Sequence, residues 1–175
     1  EYEVIGPDGY GYPIYALKQN HKALYGSLIS EQDMAKAYDD GNPYVNRDPR
    51  FYRDIIYHGS MFKGKWINTA TGADAINAAN STSTGYFTRK YFDGYYTKGM
   101  SGNWNFDAPL IRLATIYLVY AEAVTRSKGA TPEVYNLMNE LRARSFMAPI
   151  PPAAQTNKEL LLDYILRERR VELYH

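Results

Sequence analysis

The sequence contains no cysteine. That excludes disulfide frameworks, thiolate zinc centres and cysteine nucleophiles. It leaves the compartment open, since a secreted chain can do without disulfides. Histidine is scarce too: His21, His58 and His175 stand apart, none at metal-ligand spacing, and HExxH is absent. No apolar stretch approaches the roughly 18–20 residues that span a bilayer, and no signal peptide is visible. Charge is nearly balanced, with a formal net charge of +1. So weak a field draws in neither nucleic acid nor an acidic membrane surface. No G-x-S-x-G elbow occurs. GPDGYGYP carries Gly6, Gly9 and Gly11 but lacks the lysine and the spacing of a phosphate loop.

What is present is enough for one domain with a real core: 175 residues, 45% of them hydrophobic. Tyrosine is over-used, at 18 residues. Its ring offers a flat apolar face and a polar tip, which suits wet contact surfaces and the rims of cores alike. The chain opens at Glu1 without an initiator methionine and stops at His175 inside a helical pattern, so both ends read as cuts in a longer protein.

Residues 1–30 hold closely spaced glycine, proline and tyrosine with no sustained period, the chemistry of turns. Ser30 is a good N-cap for a short helix over Glu31–Tyr38, and Gly41 follows its end. FYRDIIYHG (51–59) has the β-branched and aromatic content of a strand, and Met61–Thr69 suggests a second short strand around Trp66. NAANSTSTG (77–85) and TKGMSGN (97–103) read as exposed loops, with an extended segment, YFTRKYFDGYY, between them.

The last third is helical. Asp107 can cap a helix that starts at Pro109, with Leu110, Leu113, Tyr117, Tyr120 and Val124 on one face and Gly129 at its end. Thr131 and Pro132 open the next helix, whose stripe is Val134, Leu137, Met138 and Leu141. Together the two approach the ~34 residues of a tetratricopeptide helix–turn–helix unit. A single unit cannot bury its face alone, so these helices pack on the first half of the chain or on repeats elsewhere. MAPIPPAAQT (147–156) breaks the pair from a final helix capped by Thr156 or Asn157, with Leu161, Leu162, Ile165, Leu166 and Leu173 along its face. The fold class is therefore mainly α: tetratricopeptide-like helical hairpins with a loop-rich region and a few short strands.

Sites of chemistry are few. Asp39, Asp40, Asp48, Asp54, Asp74, Asp93 and Asp107 lie in loop-rich sequence, and no spacing selects a glycosidase pair among them. The run Arg167-Glu168-Arg169-Arg170 with Glu172 has three readings: a solvated salt-bridged face, arginines buried against carboxylates such as Glu122 or Glu140, or, least favoured because the glutamates interrupt it, a nucleic-acid patch. The candidate ligand-binding residues are the rings of the loops: Trp66, Tyr86, Tyr95, Tyr96 and Trp104, with Tyr91 nearby. Flat rings beside amides and hydroxyls stack on sugar faces. The competing reading makes Trp66 and Trp104 plugs between the small β part and the helices.

NRDPRFYRDIIYHG (46–59), TGYFTRKYFD (84–93), PLIRLATIYLVYAEA (109–123), NELRARS (139–145) and LLDYILRERRVEL (161–173) follow one another in an order that resembles the SusD/RagB family. The chain departs from that pattern at Thr115, where glutamate is usual, and at Phe146, where glycine is. The resemblance implies one SusD/RagB-like domain, with 1–108 a loop-rich, ligand-facing region and 109–175 helical. It implies a surface-exposed outer-membrane lipoprotein that binds oligosaccharide for uptake through a partner TonB-dependent, SusC-like transporter. Neither catalysis nor a cofactor or metal is implied, and the membrane is reached only through a lipid anchor outside this sequence. Peptide binding within the same family, or a helical-repeat scaffold that binds protein alone, are the alternatives. The motif residues Arg112, Glu122, Arg142, Arg144, Glu168, Arg169 and Glu172 are expected to hold helices in place.

Overall fold

A computed structural model describes residues 2–79, 81–90 and 109–173. The chain divides into two compact units, one drawn from 2–49 and 111–173 and the other running over Arg50–Leu110.

The first unit begins with the antiparallel strands β1 (Val4–Ile5) and β2 (Gly11–Tyr12), paired Val4 to Tyr12 and Ile5 to Gly11. A bridge from Val4 to Arg47 places the opening segment between two stretches of chain. Two short helices follow, α1 (Lys22–Tyr25) and α2 (Glu31–Ala37). The Ser30 hydroxyl accepts the Asp33 amide, so the expected N-cap of α2 is in place. The second unit takes in most of α3 (Pro49–Asp54), then β3 (Ile55–Ile56), β4 (Met61–Phe62), β5 (Lys65–Trp66) and β6 (Phe87–Thr88). β3 pairs antiparallel with β6, and β4 with β5. The strand expected over 51–59 is thus a correction: Pro49 presets the first turn of a helix, and only Ile55–Ile56 is extended.

The first unit resumes with α4 (Leu113–Lys128), α5 (Pro132–Ala143) and α6 (Lys158–Glu172). Thr131 and Asn157 cap α5 and α6, accepting the amides of Val134 and Leu160. α4 packs on both α5 and α6. The α5 stripe is buried as expected at Val134, Met138 and Leu141. α4 departs from expectation twice. It starts at Leu113 rather than Pro109, and its core face is Ala114, Leu118, Ala121 and Thr125. Leu110 (97% exposed), Leu113 (63%), Tyr117 (38%) and Tyr120 (45%) face outward, and only Val124 of the expected stripe packs on the core. The reason is that α4 is apolar on both sides. The side with small residues lets the neighbouring helices approach closely, and that side became the core.

That core also buries a charged network. Arg142 donates to Glu3 at 2.6 and 3.1 Å and to Glu168 at 3.0 Å, and its Nε reaches the Ala148 carbonyl at 2.8 Å. Arg167 lies 3.1 Å from Glu3, 3.1 Å from the Tyr25 hydroxyl and 4.3 Å from the Tyr164 ring centre. Burial by itself would lower the pKa of each guanidinium, but Glu3 above all holds both above the ordinary arginine value. Removing one member of such a buried pair costs about 3–5 kcal/mol, because its partner stays behind uncompensated. Gly11 is required here: a Cβ would sit 1.9 Å from Glu3 Oε2 and 2.7 Å from Arg142 Nη2. At the far end of α6, Glu172 accepts from Arg112 at 3.0 Å and from Arg144 at 2.5 Å, while Arg169 meets Glu122 at 2.9 Å. The motif charges brace helices, as expected, and among the described residues Glu140 accepts no arginine. Burial of Arg167 against carboxylates was one of the readings of the charged run, but Glu3, the acceptor it shares with Arg142, was not among the residues expected to brace helices.

Candidate ligand-binding site

The second unit contains a cavity of about 440 Å³. Its wall is Ile56, Phe62, Ile67, Asp74, Thr82, Tyr86, Phe87 and Thr88. Two pieces of β structure supply most of it. The β3–β6 pair sets Ile56 directly across from Phe87. The β4–β5 hairpin contributes Phe62 and then Ile67, whose amide continues the ladder to Ser60. Lys63 (φ 50°) and Gly64 (φ 76°) form its two-residue turn, the doubly left-handed arrangement whose twist suits a hairpin.

The third wall is the loop over 68–85, and local hydrogen bonds hold it closely. Asn68 Oδ1 accepts the amides of Ala70 and Thr71, Ile76 N–H reaches the Thr69 carbonyl, and Asn77 N–H reaches that of Thr82. Ser81 Oγ donates to the Asp74 carbonyl at 3.1 Å, and the Gly85 amide donates to Thr82 Oγ1 at 3.0 Å. Gly85 adopts φ 74° with the Ile76 side chain against it, a turn only glycine makes without strain. His58 joins the hairpin to this loop: its Nδ1 accepts the Thr69 amide at 3.1 Å. The stretch 77–85, expected to be an exposed loop, is exposed at Asn77, Ala79, Ser83 and Thr84 and lines the cavity at Thr82.

Of the sequence-predicted rings, Tyr86 lines this cavity. Trp66 does not. Side chains alternate across a strand, so with Phe62 and Ile67 turned to the cavity the cross-strand pair Met61 and Trp66 stands on the other face of the hairpin. Trp66 is 68% exposed. Tyr91, Tyr95, Tyr96 and Trp104 lie outside the described residues. Phe62, Phe87, Asp74 and Thr82 were not singled out as ligand residues from the sequence. The signals available for them were the Lys63-Gly64 turn and the glycine at position 85. Close by, Phe51 stacks on Tyr57 at 5.0 Å and meets Tyr52 edge-on at 5.5 Å. A second hollow, about 350 Å³ on α6 of the first unit, is lined by Leu166, Arg169, Arg170 and Leu173, and its Arg169 is already engaged by Glu122.

An aromatic and aliphatic wall with a few polar groups is the usual composition of a small-molecule site, and 440 Å³ lies within the usual size range. The model of the SusD family matches residues 4–175. The chain belongs to the SusD family. Two solved structures from Bacteroides fragilis are similar to it. One, a SusD-like carbohydrate binding protein, is 27% identical with a TM-score of 0.61, over 78% of this chain and 28% of that one. The other, a SusD-like protein, is 26% identical with a TM-score of 0.64, over 76% of this chain and 26% of that one. The SusD-family chain described here thus spans about a quarter of the length of those structures. No curated protein matches it.

Proposed function

We propose that this SusD-family chain captures oligosaccharide without transforming it, and that the cavity of the second unit is part of the capture surface. The observation that carries the reading is the wall itself. Phe62, Tyr86 and Phe87 offer faces for a pyranose ring, while Asp74, Thr82 and Thr88 offer polar partners for its hydroxyls. The hydrogen-bonded loop over 68–85 keeps that wall in place before a ligand arrives, which lowers the ordering cost of binding. One of the solved relatives is described as a carbohydrate binding protein.

The wider setting is part of the same proposal. The protein acts at the outer face of the outer membrane, held there by a lipid anchor, and hands its ligand to a SusC-like TonB-dependent transporter. Trp66, standing outside the cavity, supplies a further stacking surface for a longer chain.

Calorimetry with a panel of oligosaccharides tests the reading. Binding of at least one glycan, weakened about tenfold by Tyr86→Ala through the loss of a stacking ring, is the expected result. No binding to any glycan sinks it, and binding of peptides in their place moves the chain to the peptide-binding alternative.

A further inference from the structure

The cavity wall has a sign. Among the described residues it contains Asp74 and no lysine, arginine or histidine. Lys65, across the hairpin from Phe62 and so on the same face, is exposed and does not line the cavity. The Asp74 carbonyl is tied to Ser81, which fixes the residue, and its carboxylate has no hydrogen bond or ion pair with any described residue. Asp74 is half-buried, and Ile56, Phe62, Ile67 and Phe87 make the surroundings apolar, so a charge placed here is felt more strongly than in open water.

An ionised carboxylate accepts hydrogen bonds and donates none. Its natural partners are vicinal hydroxyls, which donate in pairs, or an amino group. Thr82 complements it. Its oxygen already accepts the Gly85 amide, which leaves the hydroxyl proton free to be given to a ring or glycosidic oxygen. A uronate or sulfate meets the opposite situation: a like charge and, among the described residues, no cation on the wall.

We propose that this cavity selects sugars that present hydrogen-bond donors and carry no anionic group, with Asp74 as the residue that discriminates against acidic glycans. The proposal rests on the reading of the cavity as a glycan site and names the class of glycan it takes.

Isothermal calorimetry on the full chain at low ionic strength tests it. The probes are neutral gluco-, galacto- and manno-oligosaccharides, each set against its uronate counterpart, which differs only at C6. The expected result is that every uronate binds at least about tenfold more weakly than its neutral partner. Added salt narrows the gap. Asp74→Asn narrows it as well, while Tyr86→Ala, which removes a ring and no charge, weakens both members of a pair alike. Thermal unfolding of each variant checks that it is folded. A uronate that binds as tightly as its neutral partner overturns the proposal and leaves glycan binding standing, as does an unchanged ratio in Asp74→Asn. Absence of binding to every probe, neutral and acidic, overturns the glycan reading itself.

Discussion

Phe146 holds a left-handed backbone, φ 57°, at the end of α5. The geometry there is a Schellman cap: Phe146 N–H bonds to the Ala143 carbonyl and Met147 N–H to the Arg142 carbonyl, both at 3.0 Å. Glycine is the usual residue at the left-handed position of that motif, and the SusD-type pattern tends to place glycine after the R-x-R-S run. A residue with a Cβ costs about 1–2 kcal/mol in that conformation. Phe146 recovers nothing by burial, since its side chain is 87% exposed, while the neighbouring Met147 is buried. Phe146→Gly is therefore expected to stabilise the chain. The relief is partly offset by the larger unfolded-state entropy of glycine, about 0.5–1 kcal/mol. A net gain of about 0.5–1 kcal/mol remains, or roughly 1–4 °C in Tm, measurable by urea and thermal denaturation. A loss of stability would show that the phenyl ring makes a contact that outweighs the backbone strain.

Helix α4 shows what sequence periodicity can and cannot tell. α5 and α6 were legible because their signals are local: Thr131-Pro132 and Asn157 cap within three residues, and α5 carries one apolar stripe on an otherwise polar helix. α4 has Leu113, Ile116, Tyr117 and Tyr120 on one side and Ala114, Leu118, Ala121 and Thr125 on the other, so the larger residues mark a face that is not the core. The cavity was half legible for a related reason. Tyr86 stood out as a loop aromatic, but Ile56 and Phe87 meet only through a strand pairing between distant segments, which no local window contains. Glu3 was illegible in the same way, because its arginine partners lie near the opposite end of the chain. The two faces of α4 make opposite predictions. Leu113→Lys and Ile116→Lys are expected to change the stability of this chain by less than about 0.5 kcal/mol. Leu118→Ala, at a fully buried position, is expected to cost about 2–5 kcal/mol. Urea denaturation of the three variants decides between the faces, and a large loss at Leu113 or Ile116 would restore the periodicity reading.

At the scale of the whole molecule the response to alkali is the informative one, because the chain joins a tyrosine-rich composition to a core braced by arginine. Above neutral pH the carboxylates are already ionised, and arginine does not titrate in the accessible range. Tyr12, Tyr25 and Tyr164 are different: burial, first of all, raises the pKa of each above its ordinary value of 10.0. Each also gives its proton to an acceptor that would repel the phenolate. Tyr25 donates to Asp163 at 2.5 Å, Tyr164 to the Gly11 carbonyl at 2.8 Å and Tyr12 to Asp8 at 2.6 Å. The folded pKa lies above the unfolded one, so the stability these groups contribute is intact below pH 10 and is lost progressively as pH rises beyond it. Each pH unit above 10 costs about 1.4 kcal/mol per buried tyrosine. From pH 9 to pH 11 Tyr25 and Tyr164 together are expected to lower the unfolding free energy by about 3 kcal/mol, with Tyr12 adding in the same direction. Urea unfolding at the two pH values, read alongside tyrosinate absorbance, measures this. Tyr25 and Tyr164 should give up their protons only as the chain unfolds. Equal stability at pH 9 and 11 would mean that the three phenols ionise within the folded core and that the arginines shelter the charge.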